Sequence, residues 1–175
     1  MLNIGMNAKL HKKMSKTLGE TAANALYLRF IQSFAIHVAR LDPDMFDLPT
    51  APTNEALLDM LRAYESETDA EFPQDPADQL TDVLRSMARA WEGTTARLLR
   101  QAKGAPADAG LGLIVQEMAL GLGTGECGSG VIQFVDGMTG QPQIKGRYLS
   151  QSQGREALMG GSSAIYLTHD ERGPS

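Results

Sequence analysis

The chain has 175 residues, 42% of them hydrophobic, and a net charge of −5 at pH 7. This size suffices for one compact domain or two small subdomains sharing a core, and the acidic balance disfavours a general nucleic-acid binder, whose affinity for phosphate comes from clustered Lys and Arg. The single cysteine excludes an internal disulfide, and no apolar run approaches membrane-spanning length, so we expect a cytoplasmic protein without nucleic-acid or membrane partners.

The first stretch of the chain is locally basic. It contains Lys9, His11, Lys12, Lys13 and Lys16 and no acidic residue before Glu20. Such a cluster is typical of a solvated polar face or a frayed terminus, and an anion site is the alternative.

Three segments have the apolar periodicity of amphipathic helices. The first begins near Tyr27, and the second is a shorter helix around Leu57–Tyr64. An acidic linker, Glu65–Glu71, is expected to follow. Asp75 and Pro76 form an N-cap and first-turn signal for the third helix, which is predicted to continue or restart after Gly93. The apolar positions of the three helices are Phe30, Ile31, Phe34, Ala35 and Val38; Leu57, Leu58, Leu61 and Tyr64; and Leu80, Val83, Leu84, Met87 and Trp91.

The pattern changes to short strands after Lys103. Residues 113–119 and 131–135 are apolar runs of strand length, joined by a glycine-rich connection. A turn-forming stretch from Asp136 precedes alternating residues 144–149, which predict a third strand antiparallel to the second. The sequence therefore predicts an α+β fold, with a helical subdomain over residues 1–103, a strand-rich subdomain over 104–167 and a loose tail over 168–175.

Few residues form a pattern that indicates catalysis. Residues 123–128 fit the spacing GxGxxG, but a strand rather than a helix is predicted to follow, which favours a flexible hairpin connection over a dinucleotide-binding motif. The same loop can approach a phosphate through its backbone amides. Cys127 has no basic neighbour in sequence, and the three histidines have no metal-ligand spacing, so we predict no catalytic residue and no metal site.

Several separated stretches resemble, in the same order, the nucleotide-binding region of the pyruvate phosphate dikinase family. Residues 1–7 (Met-Leu-Asn-Ile-Gly-Met-Asn) are similar to its Leu-Asn-Ile-Gly-Leu-Asn, and residues 27–34 are similar to its Tyr-Arg-Arg-Phe-Ile-Gln-Met-Phe. Residues 72–76 match its Phe-Pro-Gln-Asp-Pro, residues 115–118 its Val-Gln-Ala-Met and residues 128–131 its Gly-Thr-Gly-Val. The resemblance extends to about Gly160 and implies part of an ATP-grasp fold, in which a helical insert precedes an antiparallel sheet that faces the nucleotide.

The resemblance also implies candidate ligand residues. Gln116 and Met118 would lie on a strand that flanks adenine, with simple burial in a strand as the alternative. Gly128 and Gly130 would lie near the phosphates, and Gln153 would offer a neutral oxygen. Arg147 and Arg155 stand where the family carries glutamate, as Gly-Glu-Tyr-Leu becomes Gly146-Arg-Tyr-Leu and Ala-Gln-Gly-Glu becomes Ser152-Gln-Gly-Arg.

These arginines change the chemistry that the resemblance implies. A guanidinium cannot ligate magnesium but can pair with phosphate, and a solvated arginine on an edge strand is the alternative. The resemblance further implies that the lysine-bearing subdomain precedes the stretch matched here, and the family's Phe-Thr-Arg-Asn-Pro reads Phe134-Val-Asp-Gly-Met, without its arginine. We therefore expect a dikinase-like module without phosphotransfer activity on its own, with a nucleotide such as ATP or another polyanion as the candidate ligand, and the loss of the carboxylates argues against magnesium. The alternatives are a non-enzymatic interaction or homo-oligomerisation module, and a subunit that completes a split dikinase.

Overall fold

The structure is a computed structural model, and it describes residues 4–106, 108–153 and 164–168. The chain divides into two compact units, Met1–Gln116 and Glu117–Ser175, which we call the helical unit and the sheet unit. The architecture is α+β, as predicted, because helices occupy the first unit and a small antiparallel sheet the second. None of the described helices is long and apolar enough to cross a bilayer.

The helical unit contains five α-helices. They are α1 (Ala8–Leu18), α2 (Glu20–Phe34), α3 (Asn54–Thr68), α4 (Pro76–Glu92) and α5 (Thr94–Ala102). A π-helical turn, Ala35–Ala39, extends α2, and a 3-10 turn, Pro43–Phe46, follows it. The helices predicted from periodicity correspond to α2, α3 and α4, and the predicted restart after Gly93 is α5.

Aromatic side chains from α2, α3 and the segment before α4 form the core of the helical unit. The Phe72 ring lies 5.3 Å from that of Phe34 and 5.1 Å from that of Tyr64, measured between centroids. Phe30 and Tyr27 also pack edge-on against Phe72. Burial raises the pKa of both tyrosines, because a phenolate would lose its hydration in this core. The apolar stripe predicted for α2 therefore faces a core.

The start of α4 lies where the sequence predicted it, whereas α3 ends later than predicted. Asp75 caps α4 as expected, with its carboxylate accepting a hydrogen bond from the Ala77 backbone N–H at 2.8 Å, and Pro76 is the first helical residue. The acidic linker predicted from Glu65 is wrong in part, because α3 continues to Thr68. It ends where Asp69 adopts the left-handed conformation (φ 55°).

Two glutamines tie the start of the chain to the start of α4. The fully buried Gln79 accepts a hydrogen bond from Gly5 N–H at 2.8 Å and donates to the carbonyls of Met6 (2.9 Å) and Pro73 (2.7 Å). Gln74 accepts from Ala8 N–H through its side chain, at 2.9 Å. Two stretches that resemble the dikinase family, 1–7 and 72–76, therefore meet here to hold the fold.

The basic stretch is helical rather than frayed. Asn7 caps α1 by accepting from Leu10 N–H at 2.8 Å, and the four lysines of the helix are exposed. His11 differs from them, because it is half-buried and its Nε2 lies 2.6 Å from Oδ1 of the buried Asn24. The solvated-face interpretation therefore fits the lysines and not His11.

The described residues of the sheet unit include three antiparallel strands in the order β1 (Gly128–Val135), β2 (Pro142–Ser150) and β3 (Ile165–Tyr166). Gly128 pairs with Ser150 and Arg147 with Val131, and a bulge shifts the register between Gln133 and Val135. The second and third predicted strands are thus confirmed, with their antiparallel pairing. The strand predicted over residues 113–119 is wrong, because residues 111–120 have no regular structure and are exposed.

The predicted turn between β1 and β2 is built around Asp136. Its Oδ1 accepts hydrogen bonds from Thr139 N–H (2.8 Å) and Met138 N–H (2.9 Å), and its carbonyl accepts from Gly140 N–H (2.9 Å). The two amide donors, Thr139 first, lower the pKa of the Asp136 carboxyl, since they stabilise its charged form.

Candidate functional site

The predicted ligand residues are distributed over several elements. Gly128 and Gly130 lie on β1 and pair with Ser150 and Tyr148 of β2. Arg147 pairs with Val131, so its side chain projects from the opposite face of the sheet to that of Tyr148. Gln153 and Met118 lie in irregular segments of the sheet unit, and Gln116 is the last residue of the helical unit. Arg155 lies outside the described residues.

Gln116 and Met118 are not strand residues, contrary to prediction. Both are exposed, Met118 to 42%, and their segment has no regular structure. The alternative interpretation, burial in a strand, is therefore wrong as well. The apolar run here has the composition of a strand, but strand structure also requires a hydrogen-bonded neighbour, which a pattern cannot reveal. Their contact with adenine stays a prediction.

Both side-chain amide atoms of Gln153 form hydrogen bonds with backbone groups of the chain itself. Its Oε1 accepts a hydrogen bond from Gly121 N–H at 2.6 Å, and its Nε2 donates to the Ala119 carbonyl at 3.0 Å. An amide oxygen can accept a second hydrogen bond, so a ligand contact is chemically open, but the first role of this side chain is to position the segment after Met118.

Gln151, two residues earlier, also forms hydrogen bonds with the backbone of the glycine-rich connection. Its role was not predicted from the sequence. Its Oε1 accepts from Gly123 N–H at 3.1 Å and its Nε2 donates to the Gly125 carbonyl at 3.1 Å. The glycine-rich connection is therefore held by two side-chain amides that follow β2. The available signal was the alternation Gln-Ser-Gln directly after a predicted strand.

Ser152 lies between the two glutamines and is 1% exposed. Its hydroxyl lies 2.6 Å from that of Ser129 on β1 and donates to the Leu149 carbonyl at 2.9 Å. Gly121 passes so close that a Cβ there would collide with the Ser152 carbonyl. Position 121 requires glycine because its backbone lies against the backbone of Ser152, and no ligand is needed to explain it.

Close packing also accounts for the two candidate phosphate-site glycines. A Cβ on Gly128 would lie 2.5 Å from the Tyr148 ring and hydroxyl, and one on Gly130 would lie 2.9 Å from the Arg147 carbonyl. Tyr148 thus covers a position that has no side chain of its own, a device that compensates glycine in strands. Their roles near phosphate stay predictions.

Arg147 occupies the middle of the central strand. It pairs with Val131 on one side and Tyr166 on the other and is half-buried. Lys145, two residues earlier, projects from the same face because side chains alternate along a strand. The three strands contain these two cations and no Asp or Glu. Within the described strands, this face therefore has two cations and no carboxylate.

The glycine loop that precedes β1 leads into a strand and not into a helix. β1 begins at Gly128, so a strand follows the GxGxxG spacing, as predicted. The Cys127 thiol contacts the Thr124 carbonyl at 3.6 Å. In the described part of the chain, no three His, Cys, Asp or Glu side chains are grouped closely enough to hold a metal ion.

Comparison with curated proteins confirms the resemblance predicted from the sequence. The chain is 27% identical over 179 residues to pyruvate, phosphate dikinase of Clostridium symbiosum and 22% identical over 177 residues to that of Rickettsia prowazekii. It is 24% identical over 177 residues to chloroplastic pyruvate, phosphate dikinase 1 of Zea mays. No family model matches the chain.

Each of these matches covers 91% of this chain and 19–20% of the relative. The chain therefore spans about a fifth of the length of the curated relatives that it matches. Over 91% of its length, this chain is similar to one part of pyruvate, phosphate dikinase.

Proposed function

We propose that this chain is a divergent counterpart of part of the dikinase ATP-grasp domain, that it binds ATP or another polyanion weakly, and that it does not transfer phosphate by itself. Its similarity to one part of the dikinases supports the first statement. The observation that carries the second is the cationic face of the sheet formed by Lys145 and Arg147. The candidate ligand contacts are Gln116, Met118, Gly128, Gly130, Gln153, Arg147 and Arg155.

The charge of that face decides the expected metal dependence. Enzymes that transfer phosphoryl groups neutralise the phosphates with magnesium as well as with cations, and magnesium is held by carboxylate oxygens. A guanidinium donates hydrogen bonds and accepts none, so Arg147 would pair with phosphate directly. Binding through this residue requires no metal ion.

A thermal-shift assay with ATP plus EDTA, with MgATP and with no ligand tests the proposal. At a tenfold excess of ATP over its Kd, linkage gives about 1.4 kcal/mol, or roughly 3–6 °C in Tm. We expect ATP plus EDTA to stabilise at least as well as MgATP and to protect β2 amides from hydrogen exchange.

The matched variants for this assay are Arg147→Ala and Arg97→Ala, the latter removing an exposed arginine from α5. Arg147→Ala is expected to abolish the ATP shift and Arg97→Ala to leave it intact. Turnover of MgATP by the chain alone, lost on Arg147→Ala, would show that the proposal is wrong.

The second candidate function is protein interaction. One face of the sheet bears Ile132, Phe134, Ile144 and Ile165, each more than half exposed. Exposed apolar groups on this scale are typical of contact surfaces. The partner would be another copy, or a protein carrying the lysine-bearing subdomain of a split dikinase, and co-purification of such a protein would support the latter.

A further inference from the structure

Helix α1 lies on the helical unit without burying a side chain of its own. None of its 11 residues is buried, and Leu10 is 37% exposed. An isolated helix of this length is marginal in water, and helices in proteins gain most of their stability from burying an apolar face. The stability of α1 therefore depends on few contacts.

The start of α1 is anchored to the start of α4. The buried side chain of Gln79 binds the backbone of Gly5 and Met6, and Met6 is itself buried. Gln74 accepts a hydrogen bond from the N–H of Ala8, the first residue of the helix. The N-terminal end of α1 is therefore held through its backbone.

Gly19 joins the other end of α1 directly to α2. It adopts a positive φ of 86°, and no side chain caps the start of α2 there. Apart from its chain neighbours, no described atom lies within 4 Å of the position that a Cβ on Gly19 would take. Glycine at this joint therefore serves the backbone conformation and not close packing. Residues at the ends of elements are where backbone angles change in hinge motions.

His11 forms the one side-chain hydrogen bond that holds α1 between its two ends. In the described structure, no other residue from Lys9 to Leu18 forms a hydrogen bond with another element, and the remaining side-chain hydrogen bonds of this stretch stay within the helix. The His11 Nε2 lies 2.6 Å from Oδ1 of Asn24. The His11 ring also lies 5.6 Å from that of Tyr27, measured between centroids.

Asn24 is oriented by contacts that do not involve α1. Its amide nitrogen donates to the Pro52 carbonyl and to Oδ1 of Asn54, each at 3.0 Å, and the Asn54 amide nitrogen donates to the Glu20 carboxylate. Since the nitrogen of Asn24 is committed, its oxygen is the acceptor for His11, and the Nε2 of His11 carries the hydrogen. The acceptor therefore stays in place whether or not α1 is docked.

We propose that α1 is a strap that opens and closes as a unit while the rest of the helical unit stays folded. Opening breaks the hydrogen bond between His11 and Asn24 and uncovers the Asn24 oxygen and the Tyr27 ring, which are buried in the closed state. The rings packed around Phe72 come from α2, α3 and the segment before α4, so this core does not require α1. The proposal goes beyond nucleotide binding and does not depend on it.

Native-state hydrogen exchange of the full chain tests the strap. The amides of α1 are expected to exchange through an opening that is nearly independent of urea at low concentration, because this opening exposes little surface. The slowest amides of α2 are expected to exchange through unfolding of the whole unit and to depend steeply on urea.

Two variants separate opening of α1 from unfolding of the core. Phe34→Leu loosens the aromatic core and is expected to accelerate exchange of the slowest α2 amides about tenfold while leaving the α1 amides unchanged. His11→Ala destabilises the closed state relative to the open and the unfolded states alike, so exchange in both helices is expected to accelerate about tenfold. Lys12→Ala, at the exposed neighbouring position, is the control and should change neither.

Four results would overturn the inference. A single urea dependence shared by α1 and the slowest α2 amides, or equal acceleration of both by Phe34→Leu, would show that α1 opens only when the whole unit unfolds. Exchange of α1 at the rate of an unstructured chain would show that the strap does not close. Exchange unaffected by His11→Ala would show that His11 does not hold it. The ATP-binding assay is independent of all four, so failure here is distinguishable from failure of that proposal.

Discussion

The helical unit buries a cluster of large aromatic side chains, whereas no large apolar side chain is buried in the described part of the sheet unit. Phe34 of the helical unit is 1% exposed within a cluster of aromatic rings, whereas Phe134 of the sheet unit is 64% exposed. Both units contain stretches that are similar to the dikinases. In the helical unit these stretches form a packed core, and in the sheet unit they form exposed strands. The comparison teaches that similarity to a relative does not by itself indicate whether a stretch is buried, since the similar stretches include both a packed core and exposed strands.

The sharpest test of this contrast truncates the two phenylalanines. Phe34→Ala is expected to lower the free energy of unfolding by about 3–5 kcal/mol, because it leaves a cavity among Phe30, Tyr64 and Phe72. Phe134→Ala makes the same chemical change at an exposed site and is expected to cost within about 0.5 kcal/mol. Urea unfolding of dilute protein measures both. Equal losses would show that the units do not differ in this way.

A smaller loss of unfolding free energy is expected when the buried amide of Gln79 in the helical unit is removed. Gln79→Leu preserves approximate size but leaves the Gly5 N–H and the Met6 and Pro73 carbonyls without their partner, at a cost of about 1–3 kcal/mol. Gln101→Leu on the exposed side of α5 is the control. If both variants unfold at the same urea concentration as the parent chain, the hydrogen bonds of the Gln79 amide to Gly5 and Met6 do not stabilise the fold.

The smallest effect concerns the turn of the sheet unit. The pKa of Asp136 is lowered in the folded chain, so its contribution to the β1–β2 turn is present above the ordinary pKa of 3.8 and is lost as pH falls through the lowered value. Acid titration followed by the amide resonances of Met138 and Thr139 measures it. Asp136→Asn should remove this titration, and its persistence would assign the transition to another group.

Sequence reasoning predicted elements whose causes are local. The stripe containing Phe30 and Phe34 repeats with the period of a helix, Asp75 and Pro76 start α4 by capping, and Asp136 begins a dense turn between two strands. It did not predict α1, although Leu10, Met14 and Leu18 recur at the spacing of one helix face, because the lysines between them indicated a solvated or frayed stretch. The strand over residues 113–119 failed because its apolar pattern was clear but a pairing neighbour is not part of such a pattern.

The candidate site was harder to predict because its residues act on backbone groups far away in the sequence. Gln153 binds Ala119 and Gly121, and Gln151 binds Gly123 and Gly125, contacts that span 26 to 34 positions. A pattern of residue types indicates which side chains can donate and accept, but not which carbonyls will approach them. The resemblance identified Gln153, and only the structure showed what its amide contacts.

The bond network of Gln79 also bears on the order of events during synthesis. Gly5 and Met6 are synthesised before α4, and the side chain that binds them belongs to a residue made more than seventy positions later. Until α4 emerges, the segment around Gly5 lacks this partner, and closing so long a loop is slow relative to forming helices. This segment is therefore expected to dock after the helices between it and Gln79 have formed.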